Sequence, residues 1–195
     1  GVEASGKSRQ ELAACAGRWP WPRAGHGGMV QGIEAQKPRA IVFDIMFFEP
    51  GIFRLDADEM FNKSIAAYSN VFFPTVRQDP AGDPYGVPIT EMQAALGAFA
   101  GPQAVRDATL NVGFPKALAP ENWRLGTIDF LADADGIGRR YFVYQSVYGW
   151  KIPSLPARVA QYLGYAVPCG DSIRLRWPGG QGGEAPFPSR DLSLT

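Results

Sequence analysis

One histidine, His26, and two cysteines, Cys15 and Cys169, are all this chain offers of the side chains that most often ligate metals or activate nucleophiles. Serine–histidine catalysis or a histidine-rich metal centre would rest on His26 alone, and no cysteine lies near it in sequence. A surface or capping role is therefore expected for that histidine, with no catalytic residue, no metal and no cofactor. Net charge is lacking too, because 19 Lys and Arg balance 19 Asp and Glu. Phosphate contact needs an excess of cations, so the composition gives no reason to expect nucleic acid as a partner. Long apolar runs are missing: the best, AIVFDIMFF, is short and carries Asp44, which excludes a membrane span there. The opening GVEASGKSRQ has no apolar stretch behind a basic start and does not read as a signal peptide. The sequence reads as a soluble piece, compatible with excision from a longer membrane protein. No internal repeat or domain boundary is visible, and GHGG lacks the lysine and hydroxyl of a phosphate loop.

What is present suffices for a core. With 46% hydrophobic and 12% aromatic residues over 195 positions, one folded domain is expected rather than disorder. RAIVFDIMFF (39–48) is an uninterrupted apolar run of the kind expected in a strand buried on both faces. RAGHGGMVQGIEAQKP before it reads as a helix with contacts at Met29, Val30 and Ile33, ended by Pro38. DADEMFNKSIAAYS after it reads as a second helix, N-capped by Asp56 or Asp58, with Met60, Phe61, Ile65 and Tyr68 inward. NVFFPT follows as another buried strand, which completes a βαβ unit. RQDPAGDPYGVP (77–88) reads as a loop, followed by a helix over about 89–99 and a short strand near ATLNVGFP. In the second half, two β-rich runs flank the Asp-Gly of DADG and predict a hairpin there. A helix starting near Pro156, with Leu155, Val159, Tyr162 and Leu163 inward, and a strand in DSIRLRWPGG complete the expectation. The fold class is thus α/β: a mixed, mainly parallel sheet with flanking helices and a β-hairpin in the second half.

GRWPWPRAGHGG (17–28) packs two tryptophans, two prolines and two arginines into a stiff block. A packed loop anchored by its indoles is the expected use, with a recognition surface as the sharper one. Asp44, inside a strand predicted to be buried, needs a partner if ionised. Arg23 is the expected one, with Arg39 and Arg139 as competitors, and the pair is more an internal staple than a site. DADG is followed by arginines rather than by further oxygens, so it reads as a turn and not a calcium loop. Cys15 and Cys169 are compatible with two separate thiols or with one disulfide.

The order of these blocks resembles a CHASE domain of the second class, a sensory module of bacterial receptors. The resemblance rests on Trp19, Trp21, Arg23, Asp44, Phe47, Glu49, Pro50, Asp56, Asp133, Asp135, Gly136, Arg139, Pro153, Ser154, Leu155 and the IRLRWPGG segment. It runs over nearly the whole chain, but strands that family carries before the tryptophan block and after WPGG have no counterpart here. The expectation is one truncated extracytoplasmic sensory domain over residues 1–195. Exposed sheet edges would follow, and with them a homodimer or a swapped pair. The resemblance implies a periplasmic or extracellular location on an inner-membrane protein, with membrane spans outside this fragment. It also implies an intracellular output domain outside it: a nucleotide cyclase, a histidine or serine/threonine kinase, or a diguanylate cyclase. No catalysis is implied for the module itself. An oxidising compartment would favour a Cys15–Cys169 disulfide without excluding free thiols.

Residue chemistry places a small-molecule site, of unknown ligand, in a crevice between the tryptophan loop, the end of the VFDIMFFEP strand and DADGIGRR. Arg23, Arg139 and Arg140 would contact an anion or polar group, Trp19 and Trp21 would form apolar walls, and Asp44 and Glu49 would organise them. Two rivals stand beside it: an α/β hydrolase or transferase using Asp44 and Asp56, and a non-catalytic dimerisation module with an apolar patch on the tryptophan loop.

Overall fold

The computed structural model describes residues 21–51, 55–130 and 132–175. Trp19 and Cys15 lie outside them, and so do the tryptophan-wall role of the first and any Cys15–Cys169 bridge; Cys169 itself is exposed.

Helix α1 (Arg23–Glu34) leads to strand β1 (Ile41–Val42), then helix α2 (Leu55–Ala66) and strand β2 (Val71–Arg77). β1 and β2 pair in parallel, Ile41 against Val71, so the expected βαβ unit is present. Only two residues of the long apolar run are strand; the rest continues irregularly to Pro50, which frees Asp44 to face outward. β2 is the central strand. One edge pairs first with β1 and then, antiparallel, with β6 (Val112–Gly113); the other pairs in parallel with β7 (Leu125–Thr127). Pro74 lacks an N–H, a defect a central strand tolerates poorly. Here its nitrogen faces the stretch of edge between β1 and β6, where no ladder bond is asked of it.

Alternation along β2 sends Phe73 to one face and Phe72 to the other. Phe73 stacks on Phe43, with ring centroids 5.2 Å apart, and both meet Phe47 and Phe61 under α1 and α2. Val30, Phe61, Ile65 and Phe73 are fully buried there. Met29, Ile33 and Met60, expected inward, are instead half-exposed, since α1 and α2 face each other through His26, Gly27 and Phe61. His26 is a further correction. It is buried, surrounded by Trp21, Phe43, Phe47 and Phe61 at 5.6–6.2 Å between ring centres, rather than at the surface.

The opposite face carries α4 (Leu155–Tyr162), whose Tyr162 meets Phe72 edge to face at 5.1 Å. Ser154 caps α4 by accepting from the Ala157 N–H, and Pro156 sits in its first turn. A Cβ on Gly126 of β7 would stand 2.3 Å from the Leu155 backbone, so this contact requires glycine.

Between these parts run a 3-10 turn (Pro80–Tyr85), β3 (Val87–Pro88), α3 (Ile89–Leu96), β4 (Phe99–Ala100) and β5 (Thr109–Leu110). Past β7 come β8 (Arg140–Phe142), β9 (Tyr144–Val147), β10 (Trp150–Pro153) and β11 (Ser172–Arg174). A hairpin does lie in the second half, but not at DADG. Asp133 and Gly136 close a tight turn at 2.8 Å, yet the run before it pairs with β2 and β8 after it pairs with β11. The hairpin joins β9 to β10 through Tyr148 and Gly149, both at positive φ (49° and 77°), as a two-residue turn between twisted strands requires.

Candidate functional site

Arg23, at the first turn of α1, does not reach Asp44. Its Nε lies 3.2 Å from Asp58 Oδ1, its Nη2 donates to the Glu49 carbonyl, and its guanidinium covers the Phe47 ring at 5.4 Å. Asp58 also accepts from the Gly51 N–H at 2.6 Å. The arginine is therefore a staple, as expected, but between α1, α2 and the 49–51 turn. The expected Asp44 pairing fails because the strand ends at Val42 and turns Asp44 into solvent. The competitors are used elsewhere. Arg39 donates to Tyr165 Oη and the Leu163 carbonyl, and Arg139 is held by Asp133 and Asp135.

Asp44 instead lines a largely apolar groove of about 740 Å³ with Val42, Ile128, Tyr141 and one side of α4; Asp56 is not among its lining residues. Trp21 packs on His26, and Glu49 contributes its backbone carbonyl while its side chain is exposed. The anticipated crevice of Trp21, Arg23, Asp44, Glu49, Arg139 and Arg140 is thus not assembled among the described residues. Of its three arginines, only Arg140 makes no side-chain hydrogen bond or ion pair among the described residues. It stands directly across from Arg174 in the β8–β11 ladder, and the two edge a notch of about 360 Å³ with Asp133, Arg139 and Ser172.

A second cavity, of about 550 Å³, opens where β2 and β7 end. Carboxyl ends of parallel strands are where open α/β sheets hold ligands, because the diverging connections leave a crevice. Arg77 is the last residue of β2 and Asp129 follows β7. Both Asp129 carboxylate oxygens accept from the Arg77 N–H, at 3.0 and 3.1 Å. The Arg77 guanidinium turns to the 3-10 turn, where it forms a two-pronged pair with the buried Asp83 and also donates to the Asn111 carbonyl. Asp83 takes two further bonds, from the Asn111 N–H at 2.8 Å and from Tyr148 Oη at 2.9 Å. Donation from Arg77 above all, and then from Asn111 and Tyr148, holds the Asp83 carboxyl far below the usual carboxylate range. The same bond to Asp83 raises the Tyr148 phenol.

The far wall belongs to β9 and to the segment after α4. Asp171 pairs with Lys151 and accepts from Ser146 Oγ at 2.8 Å, and these donors, Lys151 first, lower its carboxyl. Phe142 and Tyr144 supply aromatic surface, and Tyr144 is fixed by Gln161 donating to its hydroxyl at 3.2 Å. Sequence reasoning missed this site because RQDPAGDPYGVP read only as a connecting loop. The available signal was its position: two acids and an arginine immediately past the most apolar strand of the chain.

Among the described residues, no group of histidine, cysteine and acidic side chains is arranged to hold a metal ion, and no helix is long and apolar enough to cross a membrane. No curated protein and no solved structure shows significant similarity to the chain. The family model of the CHASE2 domain, however, matches residues 2–192. That span includes the sheet, the helices and the cavity at their carboxyl end, and the chain belongs to the CHASE2 family of extracellular sensor domains.

Proposed function

We propose that this domain is the extracytoplasmic sensor of a bacterial transmembrane receptor, and that it reports a small ligand bound in the cavity at the ends of β2 and β7. The output would be a nucleotide cyclase, a histidine or serine/threonine kinase, or a diguanylate cyclase, and the domain itself would perform no chemistry. The observation that carries the site is the composition of the cavity walls. They come from three separately paired sheets, contributing Arg77 from one, Ser146 from the second and Phe142 from the third. A ligand shifts a receptor only if it favours one arrangement over another. One that bridges three sheets has that leverage, because no single ladder runs through all three.

Two measurements test this reading. Alkaline phosphatase fused after residue 175 in the full natural protein should be active and β-galactosidase at the same point inactive; the reverse result places the domain inside the cell and ends the proposal. Thermal-shift screening of small metabolites on the purified domain should yield stabilising compounds whose effect disappears when Ser146→Trp fills the cavity. Stabilisation unaffected by that substitution would move the ligand elsewhere.

A further inference from the structure

The hydrogen-bonding capacity left over in the cavity specifies a class of ligand. Among the donors, the Arg77 guanidinium is committed to Asp83 and Asn111, the Tyr148 hydroxyl to Asp83 and the Ser146 hydroxyl to Asp171. The acceptors are not used up. Asp83 and Asp171 each face a cation, but Asp129 accepts only a backbone N–H and pairs with no cation among the described residues. Gln145 also lines the cavity, though its amide oxygen is closed off from solvent. A carboxylate has lone pairs for several donors, so an occupant that donates to Asp129 is favoured.

The surfaces between these oxygens are aromatic. Phe142 and Tyr144 are in the lining, and aromatic surface attracts an organic cation and also buries its carbon skeleton. A bare metal ion would gain nothing from them and would ask for more oxygen ligands than converge here. A carboxylate or phosphate ligand would meet Asp129 and Asp171 with no uncommitted cation to answer it.

We propose that the cavity binds a small organic amine, its ammonium group on Asp129 and its apolar part against Phe142 and Tyr144. This rests on the sensor reading above in placing the ligand in that cavity, and it adds the ligand's charge.

Benzylamine, benzyl alcohol and phenylacetate serve as probes of similar shape and different charge, titrated into the purified domain by calorimetry. Amide shifts of Arg77, Asp129 and Gln145 in nitrogen-15 spectra report where each one sits. Benzylamine should bind at least tenfold more tightly than either of the others and should move those three amides. Asp129→Asn keeps an oxygen for the Arg77 N–H, so it should fold normally and lose at least tenfold in benzylamine affinity. Equal binding of the three probes, preference for phenylacetate, or full benzylamine affinity in Asp129→Asn would overturn the amine assignment while leaving the cavity a ligand site. If none of the probes moves the cavity amides and library compounds stabilise the domain through another surface, both the assignment and the cavity reading fall.

Discussion

Two regions of this domain are built from the same kinds of residue and end in opposite conditions. Around His26, four phenylalanines, a tryptophan, and the Arg23–Asp58 pair close on one another among the described residues. Around Asp83, phenylalanine, tyrosines, an arginine and three aspartates surround about 550 Å³ of open space. Aromatic density therefore does not mark the site. What separates the regions is how much bonding capacity each has left. Arg23 spends its guanidinium on a carboxylate, a carbonyl and a ring, whereas the Asp129 carboxylate, in the cavity lining, takes only a backbone N–H among the described residues. A closed cluster supports the fold, and an open one can take a partner.

The largest expected effect probes the closed region. Phe61→Ala should destabilise the domain by about 3–5 kcal/mol in urea unfolding, the usual cost of emptying a packed aromatic site. Phe142→Ala, a comparable truncation in the cavity wall, should cost well under half as much, because that ring already borders open space. Equal losses would erase the distinction between the regions. Next comes Asp83→Ala, which leaves the Arg77 guanidinium without its counter-ion in a nearly buried position. It should cost on the order of 3 kcal/mol. Tyr148→Phe removes one of several bonds to the same carboxylate from a half-exposed residue and should cost distinctly less than Asp83→Ala.

Acid should separate the regions in another way. Burial, foremost, lowers the His26 pKa; a bond to the Pro22 backbone opposes it and the nearby Arg23 charge adds to it, so the folded domain favours the neutral ring. Its contribution is complete above roughly pH 6.5, where the unfolded histidine is also neutral, and declines below that. The Asp83 carboxyl is lowered on folding, so its contribution persists until the unfolded aspartate protonates near pH 4 and is lost below. Stability measured against pH should sag first through His26 and then fall through Asp83. His26→Phe should remove only the upper sag. The smallest effect belongs to the β8–β11 ribbon, where Arg140 and Arg174 face each other. Arg174→Ser should raise stability by roughly 0.3 kcal/mol at low salt and by nothing measurable at high salt.

The elements with strong local signals were legible in the sequence. α1, α2, β2, α3 and α4 lie close to where their runs put them, although α2 starts at Leu55 and takes Asp56 and Asp58 into its first turn rather than as its N-cap, and the parallel pairing of β1 with β2 follows from the βαβ order. Position and pairing beyond that were not. An Asp-Gly turn signals a reversal, but it does not say whether the flanking runs pair with each other or with strands already present. Here β2 offered a free parallel edge, and β7 took it. Buried status misled at both ends of the scale. His26 was assigned to the surface because it is polar, yet a ring of aromatics encloses it; Asp44 was assigned to the interior because its neighbours are apolar, yet the chain turns it outward. The cavity depends on contacts across long separations, such as Tyr148 to Asp83, which no local pattern encodes.

The absence of a side chain at Gly126 bears on how a signal could leave the cavity. With the Leu155 backbone lying where a Cβ would be, β7 and the start of α4 have no clearance in which to slide past one another. They act as one mechanical body. On the other side the Arg77–Asp83 corner is tied to the hairpin tip by the Tyr148 hydroxyl, and the Tyr148 carbonyl in turn accepts from the Val105 N–H. A ligand that displaced the Tyr148 hydroxyl would therefore pull through the tip on the 101–105 stretch, while β7 and the start of α4 stayed locked together.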